Sequence, residues 1–221
     1  MNKKKVRSFI VVLIILAALG ASVSPAAATP KPTSAEAICA GQFTDKFTLG
    51  ANCWDKFSGK WFVKNGKFQT RGVASAYATT GQKGVHSNFV YTARMKRRGC
   101  TTCYNFLLFR GTPAPLGSLN SWASSYMFMY SNAGKFTVYK IINSLGTILI
   151  TETDSPAINK GGWNKLQIRA NGTSFKFFIN GTQVGTISDG TLPSGRVGIG
   201  MYRNSDTTGH KLLVDWAKLV K

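Results

Sequence analysis

Residues 163–187 read WNKLQIRANGTSFKFFINGTQVGTI, and no other segment restricts the fold as strongly. Two Asn-Gly pairs, 171–172 and 180–181, each separate runs in which apolar and polar residues alternate. Asn-Gly supplies the positive φ of a type I′ hairpin turn, and alternation with period two turns one side of a strand to a core. Leu166 and Ile168 share one face of the first strand, and Phe175, Phe177 and Ile179 share one face of the next. The segment predicts a three-stranded antiparallel meander.

The same pattern runs through the rest of the chain. Alternating runs predict further strands over 42–49, 61–70, 88–96, 104–110, 125–131, 135–142, 147–153, 196–202 and 211–219. Lys64-Asn65-Gly66-Lys67, Asn132-Ala133-Gly134 and Asn143-Ser144-Leu145-Gly146 read as turns between them. Residues 111–124, GTPAPLGSLNSWAS, form the longest stretch of low propensity. Short strands at regular spacing, with no helix long enough for a crossover, predict an all-β antiparallel sandwich or barrel.

The N-terminus has a separate logic. Lys3, Lys4, Lys5 and Arg7 precede an apolar run from 9 to 19, and Ala26-Ala27-Ala28 supplies small residues for cleavage. This reads as a signal peptide over 1–28, followed by a leader over 29–41 and one domain over 42–221. No later apolar run is long enough to span a bilayer, so the expected product is exported, secreted or associated with the cell wall. Four of the 28 Lys and Arg lie in the first 28 residues, which leaves 24 against 8 Asp and Glu, a net charge of +16. A field of that size favours anionic partners and says nothing about the fold.

Cys39, Cys53, Cys100 and Cys103 make an even count, which reads as two disulfides in an oxidising compartment. Four cysteines allow three connectivities, and local pairing, Cys39 with Cys53 and Cys100 with Cys103, is the expectation. Cys100-Thr-Thr-Cys103 could also be a redox centre or half a zinc site. Both flanks read as strands, however, so the expected role is a disulfide at a hairpin tip. Arg94, Lys96, Arg97 and Arg98 lie just before it. Two readings stand for these cations: protection of an edge strand against strand addition, or contact with a polyanion.

The stretch GGWNKLQIRANGTSFKFFINGTQVGTISDGTLPSGRVGIGMYRNSDTTGHKLLVDWAKL resembles the C-terminal half of the concanavalin A-like lectin/glucanase jelly rolls. The shared features are the Trp-Asn pair, the F-x-x-N-G hairpin, the Asp-Gly turn, the G-R-V-G-I-G strand, and a last strand with an Asp before an aromatic. FTDKF, NFLLFRG and SYMFMYSNAGKFTVYKI fit the same pattern upstream. The chain is most similar to the laminin-G-like branch, which includes the 3-keto-disaccharide hydrolase-type domains of secreted bacterial proteins. The resemblance covers residues 42–220 and implies a concanavalin A-like jelly-roll β-sandwich. It does not by itself imply one activity, because this fold hosts lectins, glycosidases and lyases. It also implies a structural calcium near the first and last strands, where Asp45 and Asp215 are the candidate ligands.

Catalytic signals are sparse. A glycosidase needs two closely placed carboxylates. The glutamates are Glu36, in the leader, and Glu152, in Thr-Glu-Thr-Asp at 151–154, where Asp154 shares its face. The third acid of the E-x-D-x-x-E pattern is missing. The two histidines, His86 and His210, lack the arginine-rich and Q-x-H strands that a lyase of this fold uses. Aromatics are abundant, with 26 Phe, Trp and Tyr. Tyr104 and Arg110 on one strand, Tyr126 and Tyr130 on the next, and Trp122 and Tyr139 are the candidate glycan-binding residues, with Arg110 as a fork for a carboxylate or sulfate. The expected function is a secreted, non-catalytic, lectin-like module for acidic polysaccharide or cell-wall polymer. A glycan-cleaving enzyme and a structural or adhesion protein are the alternatives. Nucleic acid is expected to bind only non-specifically, through charge.

Overall fold

The computed structural model describes residues 39–204 and 209–221. The expected signal peptide and most of the leader lie outside the described residues, as does Glu36. Fifteen strands follow one another: β1 (Phe43–Asp45), β2 (Trp54–Ser58), β3 (Trp61–Lys64), β4 (Lys67–Thr70), β5 (Ala76–His86), β6 (Phe89–Arg98), β7 (Asn105–Thr112), β8 (Ser124–Tyr130), β9 (Lys135–Ile142), β10 (Leu145–Asp154), β11 (Asn164–Asn171), β12 (Ser174–Ile179), β13 (Thr182–Ser188), β14 (Gly195–Arg203) and β15 (Lys211–Val220). They form two antiparallel sheets. An eight-stranded sheet runs β13-β12-β11-β6-β15-β4-β3, with β1 also paired to β15. A seven-stranded sheet runs β10-β9-β8-β7-β14-β5-β2. The architecture is the expected β-sandwich.

The meander forms, but its first turn is not the expected Asn171-Gly172: Asn171 pairs with Ser174, so Gly172-Thr173 make the turn, and Gly172 alone of these has positive φ. Leu166 pairs with Ile179 and Ile168 with Phe177, on the buried side. Asn65-Gly66 and Asn180-Gly181 both have positive φ at each residue, as a type I′ turn demands. The inner faces of the two sheets interdigitate through rings. Phe109 meets Phe175 edge-on with centroids 5.2 Å apart, and Phe128 meets Phe177 at 5.0 Å. Each such pair contributes about 0.5–1.5 kcal/mol beyond the burial itself.

Strands β2 and β5 were not legible in the sequence. Strand β5 is buried on both faces over most of its length, so it has no apolar–polar alternation, and its Gly81 and Gly84 read as breaks.

Two expectations about the Cys100–Cys103 region divide. Both disulfides pair locally, Cys39 with Cys53 and Cys100 with Cys103. The second does not staple a hairpin tip, because β6 and β7 belong to different sheets. It closes the corner at which the chain crosses from one sheet to the other. Two consecutive alternating strands look alike whether they pair with each other or face each other across a core. The corner is held by Ala133 N–H donating to Thr101 O at 2.9 Å and by Gly99, whose φ is +90°. The edge-protection reading of Arg94, Lys96 and Arg98 also falls, because β6 lies between β11 and β15. Arg97 points the other way and is 1% exposed, donating to Asn105 Oδ1 and Tyr202 O at 3.1 Å each.

Candidate functional site

Alternation along the seven-stranded sheet sends half of each strand to the sandwich core and half to the outer face. On β8, Tyr126, Phe128 and Tyr130 face the core, while Met127 and Met129 face out. On β9, Phe136 and Val138 face in, and Tyr139 and Ile141 face out. These outward residues, with Tyr77 of β5, Tyr202 of β14 and Tyr104 just before β7, floor a cleft of about 400 Å³. Its lining also includes Ser118, Leu119 and Ser121, with Ser144 of the β9–β10 turn and Gly146 at the start of β10.

Trp122 builds the wall. It is fully buried on the outer side of the sheet, over Gly81, Gly198 and Gly111 of the adjacent strands β5, β14 and β7. A Cβ at Gly111 would lie 2.4 Å from Trp122 Cε3, one at Gly198 2.6 Å from Cζ2, and one at Gly81 2.8 Å from Cζ2. Three glycines thus make a flat seat for the indole. Trp122 packs with Phe106, Leu108, Met127, Met129 and Ile141 in a second apolar cluster, separate from the main core. It anchors the 111–124 segment against the sheet, and that segment carries the lining residues Ser118, Leu119 and Ser121.

Among the described residues, no Asp, Glu, Lys, Arg or His lines the cleft. Burial pushes the Tyr77 phenol pKa up, with the neighbouring Tyr202 and Tyr139 adding to it, so the Tyr77 hydroxyl stays protonated. Tyr77 and Tyr202 have ring centroids 5.2 Å apart. The site therefore offers aromatic faces, thioethers and neutral hydroxyls. The nearest acid, Glu152, accepts a hydrogen bond from Tyr104 Oη outside the lining. Glu152 and Asp154 share Lys135, at 3.2 and 3.7 Å. Neither histidine lines the cleft. His86 is buried beside Gln82 Oε1 at 3.3 Å, and desolvation lowers its pKa to about 4. Arg97 donates from Nη2 to His210 Nδ1 at 2.8 Å.

Residues 42–216 match the family described as the 3-keto-alpha-glucoside-1,2-lyase-like domain. The chain belongs to that family. Its fold is the concanavalin A-like jelly roll, as the sequence resemblance implied. Among solved structures, the carbohydrate binding module CBM66 from Bacillus subtilis is 17% identical, with a TM-score of 0.59 over 74% of this chain and 94% of that one. A Bacillus licheniformis beta-glucanase is 12% identical, with a TM-score of 0.60 over 82% and 98%. LamAcat from Zobellia galactanivorans is 10% identical, with a TM-score of 0.60 over 84% and 100%. At these identities the likeness is one of fold. No curated protein matches the sequence.

The sequence-derived candidates separate into three groups. Tyr104 and Tyr139 line the cleft, and Trp122 supports its wall without being exposed. Tyr126 and Tyr130 do share a face, but it is the buried one. Tyr126 Oη donates to Asp189 Oδ1 at 2.6 Å, and burial with this contact pushes its pKa up to about 12. Arg110 does not accompany Tyr104. Its φ of +46° and the bulge between Phe109 and Thr112 break the alternation of β7. The guanidinium, 2% exposed, donates to Ser87 O at 2.6 and 2.9 Å, Gly172 O at 2.7 Å and Leu192 O at 3.2 Å, and lies over Phe175. Those carbonyls use the fork that a ligand carboxylate would need.

The calcium candidates are engaged separately. Asp45 accepts from Phe47 N at 2.7 Å and Trp54 Nε1 at 3.0 Å. Asp215 is paired with Lys67 and Arg94. Burial works to raise the Asp215 pKa, but the two cations outweigh it and hold the carboxyl below its usual range. Among the described residues no three His, Cys, Asp or Glu gather as a metal site.

The sequence reading missed Tyr77, Met127 and Met129. Parity within β8 was the available signal for the methionines. Once Tyr126 and Tyr130 are assigned to the core, Met127 and Met129 must face out.

Proposed function

We propose that this protein is an exported, non-catalytic carbohydrate-binding module and that the outer cleft of the seven-stranded sheet holds a neutral segment of a glycan chain. The observation that carries this reading is the cleft lining: among the described residues it holds four tyrosines and two methionines and no charged side chain. Pyranose C–H groups pack on aromatic faces, and phenol and serine hydroxyls fix sugar hydroxyls. A binding module among the structural neighbours is consistent with this use of the fold. Export is supported by the basic and apolar N-terminal sequence, by two disulfides, and by the lack of any described helix long and apolar enough to cross a membrane. The acidic glycan preference expected from net charge has no cation in the cleft to act through, so it does not belong to this site.

Family membership favours a second reading, cleavage of a glucoside, with a cleft tyrosine such as Tyr77 as proton donor. A glycan array followed by titration of the strongest glycan separates the two. Binding reduced about tenfold by Tyr139→Ala, equivalent to one ring–sugar stack of about 1.4 kcal/mol, with no new reducing ends or unsaturated products, supports the binding module. Turnover abolished by the same change supports the enzyme. No binding to any neutral glycan refutes the cleft assignment.

A further inference from the structure

The cations missing from the cleft lie on the opposite side of the sandwich. Residues 89, 91, 93, 95 and 97 of β6 are buried, so Arg94, Lys96 and Arg98 face outward. Strand register sets Lys165 opposite Arg94, Lys211 opposite Arg98, and Arg169 opposite Lys176. With Lys67 and Lys218, the outer side of β12, β11, β6, β15 and β4 carries nine cations. Asp215 is the one carboxylate on these five strands, and it is already paired with Lys67 and Arg94.

Folding does not explain this arrangement. Like charges directly opposite each other across an antiparallel pair are destabilising. Edge protection does not explain it either, since β6 and β11 are interior strands. A polyanion would relieve the repulsion. The aromatic rings on this face narrow its identity. The Arg94 guanidinium covers Trp163 at 4.8 Å, and Arg169 covers Phe178 at 4.4 Å. These two rings are not open for base stacking, the usual grip on single-stranded nucleic acid, but Trp216, opposite Arg94, is only partly buried, so nucleic acid enters the test as a competitor. The exposed large apolar residues, Leu49, Val85, Leu119, Leu145 and Ile148, all lie off these five strands, so nothing on the face would insert into a bilayer.

We propose that this face is a second binding site, independent of the cleft, for an extended phosphodiester polymer such as poly(glycerol phosphate). Arg94, Lys96 and Arg98 stand two residues apart, about 7 Å along the strand. That is comparable to the spacing of successive phosphates across a three-carbon spacer. Guanidinium forks match phosphate oxygens, and the lysines add point charge along the same track.

The test uses purified poly(glycerol phosphate), with duplex DNA and phosphatidylglycerol vesicles as competitors, at salt from about 50 to 200 mM. The four-site variant Lys96→Gln, Lys165→Gln, Lys176→Gln, Lys218→Gln is compared with the cleft variant Tyr104→Ala, Tyr139→Ala. Every phosphate that is no longer neutralised takes about 0.7 off the slope of log K against log salt. The four-site variant should therefore show a slope shallower by about 2–3 and an affinity more than tenfold weaker at the lowest salt. The cleft variant should bind the polymer as the native chain does. Because substitution can disturb folding, amine acetylation of the native protein provides a second measurement. Polymer should protect Lys96, Lys165, Lys176 and Lys218 but leave Lys56, on the other sheet, reactive. Unchanged binding by the four-site variant, equal protection of Lys56, loss of polymer binding in the cleft variant, or tighter binding to DNA or vesicles would each overturn the proposal. Failure of the cleft to bind neutral glycan would leave it standing.

Discussion

Replacing Trp122 tests the link between packing and function in the cleft. The indole is fully buried and fills the space over three glycines. Burying a ring of about 200 Å² at about 25 cal/mol per Å² is worth at most about 5 kcal/mol. Among the described residues, however, its Nε1–H has no hydrogen-bond partner, and an unpaired buried donor costs about 1–3 kcal/mol. Two substitutions pull these effects apart. Trp122→Ala leaves a cavity above Gly81, Gly111 and Gly198 that the sheet cannot collapse into, and should cost about 3–5 kcal/mol. In a domain of this size that lowers the melting temperature by about 10 °C. Trp122→Phe gives up part of the packing but also removes the unpaired donor, so it should lie within about 1 kcal/mol of the native protein. Urea unfolding followed by circular dichroism measures both. Trp122→Ala should also weaken glycan binding, since the 118–121 lining loses its anchor, whereas Trp122→Phe should not. A loss below about 1 kcal/mol for Trp122→Ala would refute the packing argument. Equal losses for both variants would refute the assigned cost of the unpaired N–H.

Two further outcomes follow from buried polar groups. Arg110→Lys keeps the charge but cannot reproduce four bonds to three carbonyls, so stability should fall by about 2 kcal/mol, with glycan affinity at the cleft unchanged in titration calorimetry. His86 has a folded pKa lowered to about 4, so its neutral form is favoured by folding. That contribution is present above the unfolded pKa of about 6.5 and fades as pH falls towards 4, with a loss on the order of 2 kcal/mol by pH 4.5. Urea midpoints at pH 7.5 and 4.5 should differ less in His86→Gln than in the native protein.

The Asn-Gly turns at 65–66 and 180–181, the alternation at 163–187 and the even cysteine count each follow from local chemistry, and each was legible in the sequence. A type I′ turn needs residues that tolerate positive φ, and a half-buried strand needs period two. The scarcity of paired acids was legible too. Which sheet a strand joins was not. Strands β6 and β7 are consecutive, yet they pair with β11 and β15 in one sheet and β8 and β14 in the other. Alternation reports that a strand has two sides but not what lies against either. Here the outer face of the seven-stranded sheet carries its own apolar cluster, so β5 and β7 are buried on both sides and their sequences conceal which side opens to a ligand. Tyr126 and Tyr139 are chemically alike, but one fills the sandwich and the other floors the cleft. Only the packing of two sheets and one loop decides between them.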